Sequence, residues 1–166
     1  MLIFKNVQLK IKLSSTTVEL LKAHIDKTIL SEKFSEIQKA IKDIRAVRTQ
    51  VNEFTAKLDG QKELKAFADS VVKKMTSIEE VLYQTKAKSG QDVLNYPIRL
   101  NDKIAGLFNV VASGQTAPSK QAKEAFADLA AQSDVALTSL KAMMDKDLKA
   151  LNQMIHEKMV PVISIK

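Results

Sequence analysis

From Phe34 onward the apolar positions fall at Phe34, Ile37, Ile41, Ile44, Val47, Val51, Phe54 and Leu58, steps of three and four that keep them on one helix face. Val18, Leu21, Ile25 and Ile29 form an earlier stripe of the same period but out of phase with it. Together they predict a long first helix over 16–58 with a break or kink near Leu30 and Ser31, where Ser31 could supply a fresh N-cap, and with Gly60 ending it. Leu64, Phe67, Val71, Met75, Ile78 and Leu82 place a second helix over 61–88. Lys86 and Lys88 would complement its negative end before Ser89 and Gly90 close it.

Pro97 suits a first helical turn, and Leu100, Ile104, Leu107, Phe108 and Val111 continue a short third helix over 97–113 that stops at Ser113 and Gly114. Thr116, Pro118 and Ser119 open the last helix, 119–159. Its stripe is Phe126, Leu129, Ser133, Leu137, Leu140, Met144, Leu148, Leu151, Ile155 and Met159, and Pro161 ends it. That spacing averages close to an 11-residue repeat, which predicts a nearly straight rod of roughly 60 Å. Two long and two shorter helices joined by short loops predict an all-α, antiparallel up-down four-helix bundle over 14–166.

Residues 1–13 break the pattern. Leu9, Ile11 and Leu13 alternate with Gln8, Lys10 and Lys12, the period of a half-buried strand, yet no second strand follows. A lone strand leaves its backbone groups unpaired. The segment is therefore expected to be a remnant of an upstream domain, to pair between subunits, or to be disordered.

Composition agrees with one helical domain. The chain has 166 residues, 45% of them hydrophobic, with only 4 Gly, 3 Pro and no Trp, enough for a single core and poor in helix breakers. Lacking cysteine, it has no disulfide, thiolate nucleophile or Cys-ligated metal. A net charge of +7 raises nucleic acid as a partner, but the 26 basic and 19 acidic residues are intermixed. The best basic cluster, Lys39, Lys42, Arg45 and Arg48, is flanked by Glu36 and Asp43 without an aromatic platform, which favours a solvated helix face over a phosphate stripe. No nucleic-acid partner is expected. Nor is a transmembrane segment, because no run of about 18 apolar residues occurs, and the lysine-interleaved start does not resemble a signal peptide.

Candidate chemistry is sparse. His24 and His156 are the only histidines, so no His cluster has metal-binding spacing. The glycines form no phosphate loop. Glu79–Glu80 and Asp145 with Asp147 are carboxylate neighbours, but residues one or two apart on a helix diverge, and both pairs are expected on solvated faces. Met143, Met144, Met154 and Met159 fall at helical spacing, as core filler does. SGQD (Ser89–Asp92) and SGQT (Ser113–Thr116) are expected to be helix ends followed by polar turns. No catalytic residue, cofactor or metal is expected, and the chain does not look like an enzyme.

The loops around 95–100 and 111–119 hold the remaining signal. Leu94, Tyr96, Pro97 and Ile98 are more apolar than a loop kept for solubility needs, and Asn95 or Asn101 could bond backbone groups freed at a helix start. The expectation is that Tyr96 and Pro97 seat the third helix between the long ones, or else that this stretch, with Gly114 and Pro118, forms a docking surface.

TKAKSGQDVLNYPIRLNDKIAGLFNVVASGQTAPSKQA (Thr85–Ala122), with IKDIRAVRTQV upstream and DKDLKALNQMIHEKMVPVI downstream, resembles the extreme C-terminal region of large bacterial BNR-repeat proteins, the sortilin-type β-propellers often labelled glycosyl hydrolases. The resemblance covers roughly residues 14–166. LNYPIRLNDKIAGL and VVASG are its specific parts, and the first residues match only loosely. It implies a non-catalytic helical appendage, serving structural packing or protein interaction, on a secreted or envelope-associated protein whose propellers carry any hydrolysis. Its partner would be that missing upstream propeller domain or a second copy. The alternative is a free-standing helical scaffold, phasin-like, that coats an apolar surface or partner helices in the cytoplasm.

Overall fold

A computed structural model of the chain describes residues 15–58, 60–114 and 117–158. The strand-like segment 1–13, Met159 and Pro161 lie outside them. Among the described residues the chain is an all-α bundle of four helices, two long and two shorter: α1 (Ser15–Thr55), α2 (Lys62–Leu82), α3 (Leu100–Ser113) and α4 (Lys120–Met143). The last continues through a π-helical turn, Met144–Leu148, into α5 (Lys149–Glu157).

Cross-helix pairs fix the directions. Lys123 Nζ meets Asp26 at 2.9 Å and Lys33 Nζ meets Asp134 at 2.7 Å, so α4 runs parallel to α1. Lys74–Asp147 (2.6 Å) and Lys158–Glu63 (2.8 Å) make α2 antiparallel to the α4–α5 rod. Gln38 Nε2 donates to Asn101 Oδ1 at 2.6 Å and Lys27 Nζ to the Gly114 carbonyl at 3.0 Å, so α3 also descends along α1. The up-down order therefore holds from α1 to α2 and from α3 to α4, while α2 and α3 run in the same direction. They divide the length of α1 between them, and the bundle is three rods thick with its middle rod interrupted at 83–99.

The core follows the stripes. Ile37, Ile41, Ile44 and Val51 of α1 are buried against Leu64, Ala68, Val71, Met75 and Leu82 of α2, Leu100, Ile104 and Val111 of α3, and Ala136, Leu140, Met143 and Leu151 of the last rod. Gly60, at φ +78°, takes the left-handed conformation that turns the chain from α1 into α2.

Four expectations about the helices are corrected. The break near Leu30 does not occur: α1 is continuous, Leu30 is buried, and the carbonyl of Ser31 accepts a bond from Ser35 Oγ instead of Ser31 capping a new helix. A helix touching two neighbours carries a wide apolar arc, so a change of phase marks a change of neighbour and not a break. α2 ends at Leu82, short of 88, because Tyr83 turns extended, and α3 begins at Leu100 with Pro97 three residues outside it. The last rod is also not a uniform α-helix. Successive steps of four, Leu140–Met144–Leu148, lag behind 3.6 residues per turn, and the π turn absorbs the lag before Leu151 is buried.

Candidate functional site

The interruption of the middle rod is where the molecule carries its least ordinary residues. Glu79, on the last turn of α2, occupies a core position and is fully buried. Arg45 Nε donates to its Oε1 at 2.6 Å and Arg48 to its Oε2 at 2.5 Å, so both carboxylate oxygens are met by guanidinium groups from α1. The hydrogen bond to Glu79 raises the Arg45 pKa above its ordinary value against the opposing effect of desolvation. The guanidinium of Arg45 also stacks 4.8 Å from the ring centre of Tyr83, the residue that leaves the helix.

From there the loop is tied at both ends. Gln84 is buried; its Nε2 donates to the Pro97 carbonyl at 2.8 Å, and its Oε1 accepts from the Lys86 amide at 3.2 Å. Within the loop Gly90–Leu94 forms a 3-10 turn with a capping box, in which Asp92 Oδ2 accepts from the amides of Lys88 (2.6 Å) and Ser89 (2.9 Å). Those amide bonds hold the Asp92 carboxyl below its ordinary value. SGQD is thus a turn start and not a helix end. Where the rod resumes, buried Asn101 accepts from Gln38 and donates to Asp102 Oδ1 at 3.2 Å.

On this base the loop shows apolar side chains to solvent. Leu94 is 90% exposed, Ile98 43% and Tyr96 37%, with Val81 at 47% and Val135 at 69% beside Ile98. Ile98 is common to three surface recesses of about 340 to 510 Å³. One reaches Tyr83, Gln84 and Lys88; one runs between α3 and the last rod past Lys103, Gly106, Ala125 and Asp128; one lies between Val81 and Val135.

The residues singled out from sequence separate accordingly. Leu94 stands almost wholly in solvent, and Ile98 and Tyr96 keep 43% and 37% of their surface exposed, so none of the three belongs to the buried core. α3 is seated instead by Leu100, Asn101, Ile104 and Val111. Pro97 contributes its carbonyl as the anchor for Gln84 and does not start a helix. Asn95 is exposed, and Asn101 bonds side chains rather than freed backbone groups. Gly114 and Pro118 belong elsewhere. They lie about 20 Å away along the 14-residue α3, where Gly114 accepts from Lys27 and Pro118 closes a small recess with Leu30, Val111 and Phe126.

The pairing of Glu79 with Arg45 and Arg48, and the role of Gln84, escaped sequence reasoning. Glu79 was expected on a solvated face, but the α2 stripe Leu64, Val71, Met75 and Leu82 passes through position 79, and arginines at 45 and 48 on the facing helix were the matching signal. Asp147 and Asp145 pair with Lys74 and Lys149. Among the described residues no three His, Cys, Asp or Glu side chains gather as metal ligands, and no helix is long and apolar enough to cross a membrane. No family model, curated protein or solved structure matches the chain.

Proposed function

We propose that this chain is a non-catalytic helical interaction module whose contact surface is the apolar face centred on Ile98. The observation that carries the reading is the pairing of a tied base with an apolar tip. Apolar residues scattered singly over a surface need no explanation, whereas Val81, Ile98 and Val135 line one recess, with Leu94 and Tyr96 on the same loop. Gln84 and Asp92 hold that loop in one shape before any partner arrives, so little ordering entropy is lost on contact. The resemblance of Thr85–Ala122 to the C-terminal region of BNR-repeat proteins supports the same reading, since LNYPIRLNDKIAGL spans this face. It also supports an appendage role beside a propeller domain.

Site-specific photo-crosslinking in the native cell tests the reading. A photoreactive residue at Leu94 or Val135 should give a discrete protein adduct that the same probe at Lys42 on α1 does not. No adduct from either position, or equal labelling from Lys42, would refute it.

A further inference from the structure

The helices are held unequally. α2 buries Leu64, Ala68, Val71, Met75, Glu79 and Leu82, and ion pairs fasten it on both sides, Glu79 to Arg45 and Arg48 of α1 and Lys74 to Asp147 of the last rod. α3 buries only Leu100, Asn101, Ile104 and Val111, and among the described residues no ion pair joins it to another helix. Two polar links near its ends fasten it instead, Gln38 to Asn101 and Lys27 to the carbonyls of Ala112 and Gly114.

Taken by itself, α3 is also a weak helix. At 14 residues it is marginal in water without tertiary support, and Gly106 at its centre is a poor helix former. Arg99 at its start makes no side-chain cap bond, whereas Ser119 Oγ at the start of α4 accepts from the Ala122 amide. Open space flanks it: a recess of about 150 Å³ lies where Val111 faces Leu30 and Phe126, and one of about 510 Å³ where Gly106 and Leu107 face Ala125 and Leu129. A helix flanked by recesses forfeits less packing when it leaves.

We infer that α3 is a displaceable helix, which leaves the bundle as one unit while α1, α2 and the last rod stay packed. The rods it leaves are joined without it, α1 to α4 by Lys123–Asp26 and Lys33–Asp134, and α2 to both by the pairs above. Opening uncovers Leu30, Phe126 and Leu129, which line its seat, so α3 is a cover over an apolar cleft between α1 and the last rod. Cooperative opening below global unfolding belongs to elements with few buried contacts, and α3 is the element of that kind here.

Native-state hydrogen exchange of the full chain in low urea tests this. Amides 104–113 should converge on one opening free energy and exchange roughly tenfold or more faster than amides 66–82 of α2. Their urea slope should be smaller than that of α2 but not zero, because releasing one helix exposes less surface than complete unfolding. Val71→Ala, in the core of α2, should speed α2 exchange by roughly tenfold or more and leave α3 unchanged, since α2 stays packed when α3 opens.

Equal free energies and slopes for the two helices in the parent overturn the inference. So does exchange of 104–113 residue by residue without a urea slope, which is local fraying and not departure of a unit. A Val71→Ala variant that speeds both helices alike overturns it as well. If that variant does not fold, the slopes of the parent decide the matter alone.

Discussion

Gln84 Nε2 donates to the carbonyl of Pro97 across 2.8 Å, closing the loop between the two halves of the middle rod at its neck. The two stand 13 positions apart in sequence. Since Gln84 is buried, Gln84→Ala leaves the Pro97 carbonyl and the Lys86 amide without their partner. The expected cost is about 1–3 kcal/mol in urea unfolding, with faster amide exchange over residues 86–98 than over α1. An unchanged exchange rate there would show that the neck does not hold the loop.

The buried carboxylate of Glu79 makes a second, non-additive prediction. Removing Arg45 or Arg48 alone leaves the other guanidinium in place and should cost about 1 kcal/mol, because both are partly solvated. Removing both strands the carboxylate in the core, and the double alanine variant should lose on the order of 3–5 kcal/mol, more than the two single losses added. Additive losses in a denaturant double-mutant cycle would mean that Glu79 is not held jointly.

Acid should loosen the 3-10 turn before it unfolds the bundle. The Asp92 pKa is depressed below its ordinary 3.8 by the amides of Lys88 and Ser89, so its contribution is fully present above that value and is lost as pH falls through the depressed one. NMR shifts of the Lys88 and Ser89 amides should titrate below pH 3.8 in the parent and stay flat in Asp92→Asn. Titration of those amides with a midpoint above 3.8 would contradict the assignment.

Tyr96→Ala should change stability by less than about 1 kcal/mol, as expected for a surface position, whereas Ile104→Ala in the core of α3 should cost about 2–5 kcal/mol. Thermal unfolding of the pair checks this directly. A loss of 2–4 kcal/mol at Tyr96, the size of a core truncation, would restore the packing role expected from sequence.

How far the sequence is legible depends on what each residue answers to. Ile37, Ile41, Ile44, Leu64, Val71 and Ile104 answer to one helix face, and their burial follows from spacing alone. Leu30 does not: whether a phase change means a break depends on which neighbour the helix meets at that level, a tertiary matter. Glu79 hides for the same reason, since a carboxylate at a core position is readable only against Arg45 and Arg48 on another helix. The loop shows the converse. LNYPI is legible as too apolar for a solvent loop, but the bonds of Gln84 and Asp92 that tie the loop leave no periodic trace, so the exposure of Leu94 could not be read from spacing. The direction of α3 is likewise set by Gln38–Asn101 and Lys27–Gly114, because a 17-residue loop permits either direction.

The central claim is that the Ile98 face serves contact and not folding, and the variant Ile98→Asp combined with Val135→Asp tests it most directly. Urea unfolding of the variant would be measured beside photo-crosslinking from Leu94 in the native cell. A denaturation midpoint equal to the parent's, together with loss of the Leu94 adduct, is the predicted result. A collapse of the midpoint, or an adduct that survives both substitutions, would contradict it.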